Sequence, residues 1–95
     1  MLEKDIEKHF VKQVKLAGGK AYKWTSPGNV GVPDRIVLFP PGQIFFVELK
    51  ATGKKPTDLQ LAKHAELKKL GHTVFIIDSK EKVDAFIVHV TGGDK

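Results

Sequence analysis

The stretch Gly31–Lys50, GVPDRIVLFPPGQIFFVELK, decides how the rest of the chain is read. It holds two apolar runs, Asp34–Phe39 and Ile44–Lys50, separated by Pro40-Pro41-Gly42-Gln43, a composition that turns a chain back on itself. The runs are expected to pair as antiparallel strands. Side chains two apart on a strand share a face, so Glu48 and Lys50 project together, with Phe46 and Ile44 behind them, while Leu49 points the other way. Folding the second run beside the first brings Asp34, at the start of one strand, close to Glu48 at the end of the other.

An apolar strand that becomes charged only at its tip is costly unless those charges are partnered, because a carboxylate withdrawn from water needs a counter-charge or a metal ion. Lys50 supplies one partner. Two carboxylates and an ammonium at one sheet end suit a hard cation such as Mg²⁺, which is held by one or two carboxylates and keeps several waters. With a lysine beside it to orient a water, this is a constellation for phosphodiester hydrolysis.

Pro33-Asp34 followed by Glu48-Leu49-Lys50 resembles the PD-(D/E)xK nuclease signature, and the wider sequence resembles its VRR-NUC (virus-type replication-repair nuclease) branch. The matching pieces are Glu3–Glu7 (EKDIE), Tyr22–Gly28 (YKWTSPG), Gly31–Arg35 (GVPDR), Phe46–Lys50 (FVELK) and Gln60, which together cover nearly the whole chain. The short motif recurs by chance in many proteins. Its order with the glycine loop, the apolar strands and the following helix carries the likeness.

The resemblance implies one domain over residues 1–95, with an α/β fold: a restriction-endonuclease-like αβββαβα core, its mixed central sheet flanked by helices. It implies a metal-dependent DNA endonuclease in which Asp34 and Glu48 ligate Mg²⁺, or Mn²⁺ in its place, helped by the Leu49 main-chain carbonyl and a first-helix glutamate. Lys50 then orients the attacking water, and Gln60 lies near the site. Short stand-alone members of the family pair into homodimers and act on four-way (Holliday) DNA junctions, so the resemblance also implies a homodimer on branched DNA in the cytoplasm of a bacterial or phage-infected cell. The alternatives are a flap or nicking nuclease of a replication-repair complex and a non-catalytic nucleic-acid-binding module. The complete set of Asp34, Glu48 and Lys50 argues against the module.

Composition agrees with a polyanionic partner: Lys and Arg number 16 against 11 Asp and Glu, a formal net charge of +5. Without cysteine there is neither a disulfide framework nor a thiolate metal site. No apolar run approaches a membrane span of roughly 20 residues, and the N-terminus lacks a signal-peptide profile. His9, His64, His72 and His89 form no metal-ligand pattern, and none is assigned a metal.

Around the central hairpin, Glu3–Ala17 reads as an amphipathic helix, with Ile6, Phe10 and Val14 four apart and Gly18-Gly19 as its stop. Glu3 and Glu7 share a face of it. The family pattern fits both; Glu7, deeper in the helix and less exposed to fraying, is the expected ligand. Lys20–Trp24 reads as a first strand, with Tyr22 and Trp24 packed, and Thr25–Val32 as a loop in which Ser26 is a candidate phosphate contact. Thr57 and Gln60 have the spacing of a capping box, starting a helix that is expected to bury Leu59, Ala62, Leu67 and Leu70 and to leave Lys63, Lys68 and Lys69 outside. Thr73–Asp78 reads as a fourth strand, and Ser79 as the cap of a last helix carrying Val83, Phe86 and Ile87, with a frayed tail from Thr91. Val30, Val32 and the last helix are candidates for a dimer surface.

Overall fold

The computed structural model describes residues 1–92, and in chain order its elements are α1 (Glu3–Leu16), β1 (Lys20–Lys23), β2 (Arg35–Phe39), β3 (Gln43–Leu49), α2 (Asp58–Lys69), β4 (Val74–Ile77) and α3 (Lys80–Thr91). The strands form one sheet in the order β1-β2-β3-β4, antiparallel at the first two joins and parallel at the third. This is the expected αβββαβα order and mixed sheet. The parallel join exists because α2 carries the chain from one end of β3 back to the start of β4.

The β2–β3 hairpin runs in register from Phe39↔Gln43 to Arg35↔Val47. Strand alternation then sorts its residues to two faces. Val37, Phe39, Val47 and Leu49 meet Ile6, Phe10 and Val14 of α1 and Val83, Phe86 and Val90 of α3 in a single apolar core. Aromatic rings tie this layer together: Phe86 stands 5.6 Å from Phe10 and 5.0 Å from Phe75, ring centre to ring centre. Of the last-helix residues expected in the core, Ile87 is only partly buried and Val90 takes the deeper place. Ser79 caps that helix as expected, its hydroxyl accepting the Lys82 N–H at 3.1 Å. Residues 93–95 of the expected tail lie outside the described residues.

Two glycines are needed for close approach. A Cβ on Gly19 would sit 2.7 Å from the Phe39 ring, so the turn after α1 reaches β1 only because that side chain is absent. At Gly31, where φ is +92°, a Cβ would meet the Leu59 carbonyl at 2.6 Å. That contact seats the loop before Pro33-Asp34 directly on the first turn of α2.

The face of the sheet opposite the core is covered only in part by α2, and here the structure corrects the expected packing. Only Leu67 of the four residues expected inside is buried, with His64 beside it, while Leu59 is 64 % and Leu70 70 % exposed and Ala62 is also outside. The helix turns Gln60, His64 and Leu67 inward, a row at i, i+4 and i+7. Lys68 and Lys69 are exposed, whereas Lys63 is half-buried and pairs with Glu66 at 2.8 Å. Trp24 packs on Phe46 with centroids 5.2 Å apart, as expected, but Tyr22 is 51 % exposed, because α2 does not extend over β1; Lys20 Nζ lies 5.5 Å from its ring centre. Among the described residues no helix is long and apolar enough to cross a membrane.

Candidate active site

One position beyond the Arg35↔Val47 pair, the hairpin sets Asp34 across from Glu48. Asp34 Oδ2 accepts the Leu49 N–H at 2.8 Å, so the main chain of β3 holds this carboxylate in place. Glu48 is buried to 1 % exposure on the face under α2. Its Oε2 accepts the Gln60 side-chain N–H at 3.0 Å and lies 3.4 Å from Lys50 Nζ. Its Oε1 has no hydrogen-bond partner among the described residues.

Burial pushes the Glu48 carboxyl up to about 7, and the Asp34 charge adds to that shift, while Lys50 opposes it. A buried carboxylate with one oxygen unsatisfied and a second carboxylate alongside is a site short of positive charge.

Gln60 has two roles that one amide can satisfy at its two ends. Its Oε1 accepts the Thr57 N–H at 2.9 Å while the Thr57 hydroxyl accepts the Gln60 N–H at 3.2 Å, completing the capping box. Its Nε2 reaches Glu48. The helix cap and the site share one side chain.

His64 is the residue that the sequence did not point to. Four positions after Gln60, it presents Nε2 3.6 Å from Glu48 Oε1, and neither ring nitrogen has a hydrogen-bond partner among the described residues. Burial lowers its pKa, with a contrary pull from Asp34. The spacing Gln60-x-x-x-His64 was the available signal, because residues four apart lie one above the other on a helix.

The first-helix glutamates separate. Glu7 Oε2 accepts from Arg35 Nη2 at 2.8 Å on the α1 side of the sheet, so the residue expected at the cluster is engaged elsewhere. Glu3 is the one acted on by Asp34 and Lys50: its pKa is raised, by burial first and then by Asp34, with Lys50 pulling it down. Ser26 stays within its loop, its hydroxyl accepting from the Asn29 side chain at 3.0 Å.

The donors suit a hard divalent cation. The orphaned Glu48 Oε1 and the Asp34 carboxylate are hard oxygen donors, and among the described residues no group of three His, Asp or Glu side chains is arranged to hold an ion by itself. An open, partial oxygen set of this kind matches an ion that leaves positions to water and to a substrate phosphate.

No family model matches the chain. In sequence it is 56 % identical over 79 residues to "Putative nuclease p44" of Acyrthosiphon pisum secondary endosymbiont phage 1, a match spanning 83 % of this chain and 85 % of that protein. In three dimensions it is similar to a solved structure described as a VRR_NUC domain, with a TM-score of 0.85 and 35 % sequence identity over 92 % of this chain and 95 % of that one.

Proposed function

Starting from the membership of this chain in the VRR-NUC family of nuclease domains, we propose that it hydrolyses phosphodiester bonds in DNA, with Mg²⁺, or Mn²⁺ in its place, held by Asp34 and Glu48. The observation that carries this reading is Glu48 Oε1, a buried carboxylate oxygen without a hydrogen bond, beside the second carboxylate of Asp34. Glu3, rather than Glu7, is the α1 carboxylate we assign to the site, since Glu7 is held by Arg35. The Leu49 carbonyl belongs to the residue whose N–H already positions Asp34.

When bound there, Mg²⁺ supplies a water of lowered pKa and offsets charge on the phosphate. Asp34 is fixed by the β3 main chain, and Glu48 is steered by Gln60, so both carboxylates are positioned before substrate arrives. Lys50, whose Nζ stands 3.4 Å from Glu48 Oε2, orients the attacking water and meets the negative charge that grows on the phosphate.

The proposed substrate is branched DNA, with a four-way junction as its leading form, cut by a homodimer whose two sites face matching strands. A domain this small grips a branched substrate better as a pair. Exposed apolar surface is available for the contact: Val30 lies with Leu59 and Ala62 of α2 along one shallow groove. Such a substrate places the protein in the cytoplasm of a bacterium or a phage-infected cell.

The test is cleavage of a labelled four-way junction, set against linear duplex, single strand and flap, with Mg²⁺ or Mn²⁺ and with Asp34→Asn as the control. Paired symmetric cuts that vanish in the variant support the full reading. Cutting confined to another substrate keeps the chemistry and removes the junction. Binding without cutting in either metal removes the enzyme and leaves a nucleic-acid-binding module.

A further inference from the structure

Helix α1 carries two segregated rows of charge. Glu3 and Glu7 form one, and Lys4, Lys8 and Lys12 form the other, each at a spacing of four. Like charges at that spacing repel, and Lys4 and Lys8 also sit in the half of the helix nearer its positive end. Lys4 and Lys8 each have a carboxylate three positions away, Glu7 and Asp5, but form no ion pair with it, and Lys12 has none at that spacing, so pairing within the helix does not account for the row. Among the described residues, none of Lys4, Lys8, Lys12, Lys15 and Lys23 forms an ion pair.

These five lysines line a groove of about 700 Å³ together with Arg35. Lys23 and Arg35 reach it from paired positions on β1 and β2, and Val11 contributes an apolar floor. The carboxylates in the lining are Asp5 and Glu7, and the second is already offset by Arg35 at 2.8 Å. Six cations face two carboxylates, so the groove is strongly basic. Successive lysines of the row rise by about 6 Å along the helix, comparable with the step between phosphates of one strand.

We propose that this groove holds the phosphate backbone of one nucleic-acid strand and leads it to the cluster of Asp34 and Glu48. The proposal rests on the nuclease reading for its ligand class and adds the surface that grips the strand. Continuity supports it: the groove begins at Lys4 in the first turn of α1, and Met1, just ahead of that helix, accepts the Thr52 N–H at 3.0 Å, two residues past Lys50. The lysines of α2 are not equivalent, since Lys63 is paired with Glu66 and Lys63 and Lys69 border a different groove.

The test is salt-dependent binding of a fluorescent single-stranded oligonucleotide to the full chain with metal chelated, so that no cutting intervenes. Each phosphate contact contributes about 0.7 to the slope of log affinity against log salt on a single strand. The double substitution Lys8→Gln with Lys12→Gln is expected to lower the slope by about 1.4 and to weaken binding roughly 10- to 60-fold near 50 mM salt. Glutamine keeps the helix propensity of lysine, and an unchanged circular dichroism melt confirms that the fold is retained. Lys68→Gln with Lys69→Gln is expected to leave the slope unchanged. An unaltered slope in the α1 variant, or an equal loss in the α2 variant, overturns the groove, the latter by showing that only net charge matters. Cleavage of the labelled four-way junction, duplex, single strand and flap in Mg²⁺ separates the two readings: an intact slope difference with none of these cut keeps the groove and retires the nuclease.

Discussion

On the face of the sheet under α1 and α3, Val37, Val47 and Leu49 are buried against Ile6, Phe10, Val83 and Phe86, all apolar. On the face under α2 the buried residues include Glu48 and His64, with Gln60 between them and the helix cap. Burial is shallower on the second face, where Leu38, Ile44 and Ile76 are exposed, and its energetic balance differs. The first face gains mainly from methylenes withdrawn from water, with its buried Arg35 paired to Glu7 although Nε lacks a partner, whereas the second pays a desolvation cost at Glu48 Oε1 and both His64 nitrogens, which lack hydrogen bonds. One face holds the fold together, and the other buries a carboxylate beside a second one, the place where we propose that a cation binds. Stability and activity should accordingly respond to different residues.

The largest effect that would separate the faces is a truncation in the apolar layer. Phe10→Ala, at a fully buried ring, is expected to cost about 3–5 kcal/mol, read as a lowered midpoint in urea melts. A loss under about 1 kcal/mol would mean that this layer is not the structural one.

Asp34→Asn probes the opposite face. Cleavage is expected to fall roughly 10³-fold or more, as several kcal/mol of charge stabilisation disappear, while the melting temperature holds or rises because the repulsion on Glu48 is relieved. Parallel melting curves and cleavage rates check this, and a variant that unfolds would show that Asp34 is structural.

Next comes pH. The Glu48 carboxyl sits at about 7 in the folded chain against 4.5 for a free group, so the folded state binds its proton more tightly than the unfolded state does. Its contribution to stability is fully present below about pH 4.5 and is lost as pH rises through about 7, an effect of at most about 3 kcal/mol. Glu48→Gln should flatten that part of the stability profile, and added Mg²⁺ should raise the melting temperature of the native chain more at pH 8 than at pH 5. A native profile without this fall would break the comparison at its centre.

Smaller still is Gln60→Ala, which removes one half of the capping box and the Glu48 hydrogen bond and is expected to cost about 1–2 kcal/mol by chemical denaturation. Leu59→Ala, on the outward side of α2, should change monomer stability by less than about 0.5 kcal/mol, measured at low protein concentration. A large cost there would restore the apolar packing that the sequence pattern suggested.

Much of the site could be read before folding was considered. Asp34 and Glu48 are brought together by alternation and a short turn, both local rules, although the turn is Pro40-Pro41-Gly42 alone, one residue shorter than expected, with Gln43 already paired to Phe39. The choice between Glu3 and Glu7 was beyond reach because both occupy one helix face; the partner that separates them, Arg35, comes from β2, a different element. Tyr22 was misjudged because an aromatic in a strand is normally packed, and only the reach of α2 determines which part of the sheet it covers.

The sequence by itself determined the order of elements, the hairpin, the two caps at Thr57 and Ser79 and the apolar layer beneath α1, because each depends on residues a few positions apart or on simple periodicity. Only the tertiary structure decided which side of α2 faces inward. Its leucines favoured one side, but a buried glutamate twelve positions earlier in the chain, adjacent to the helix only once the sheet had formed, required polar partners there. Turned the other way, α2 would leave the buried Glu48 without its hydrogen bond from Gln60, a cost set against that of leaving Leu59 and Leu70 in water.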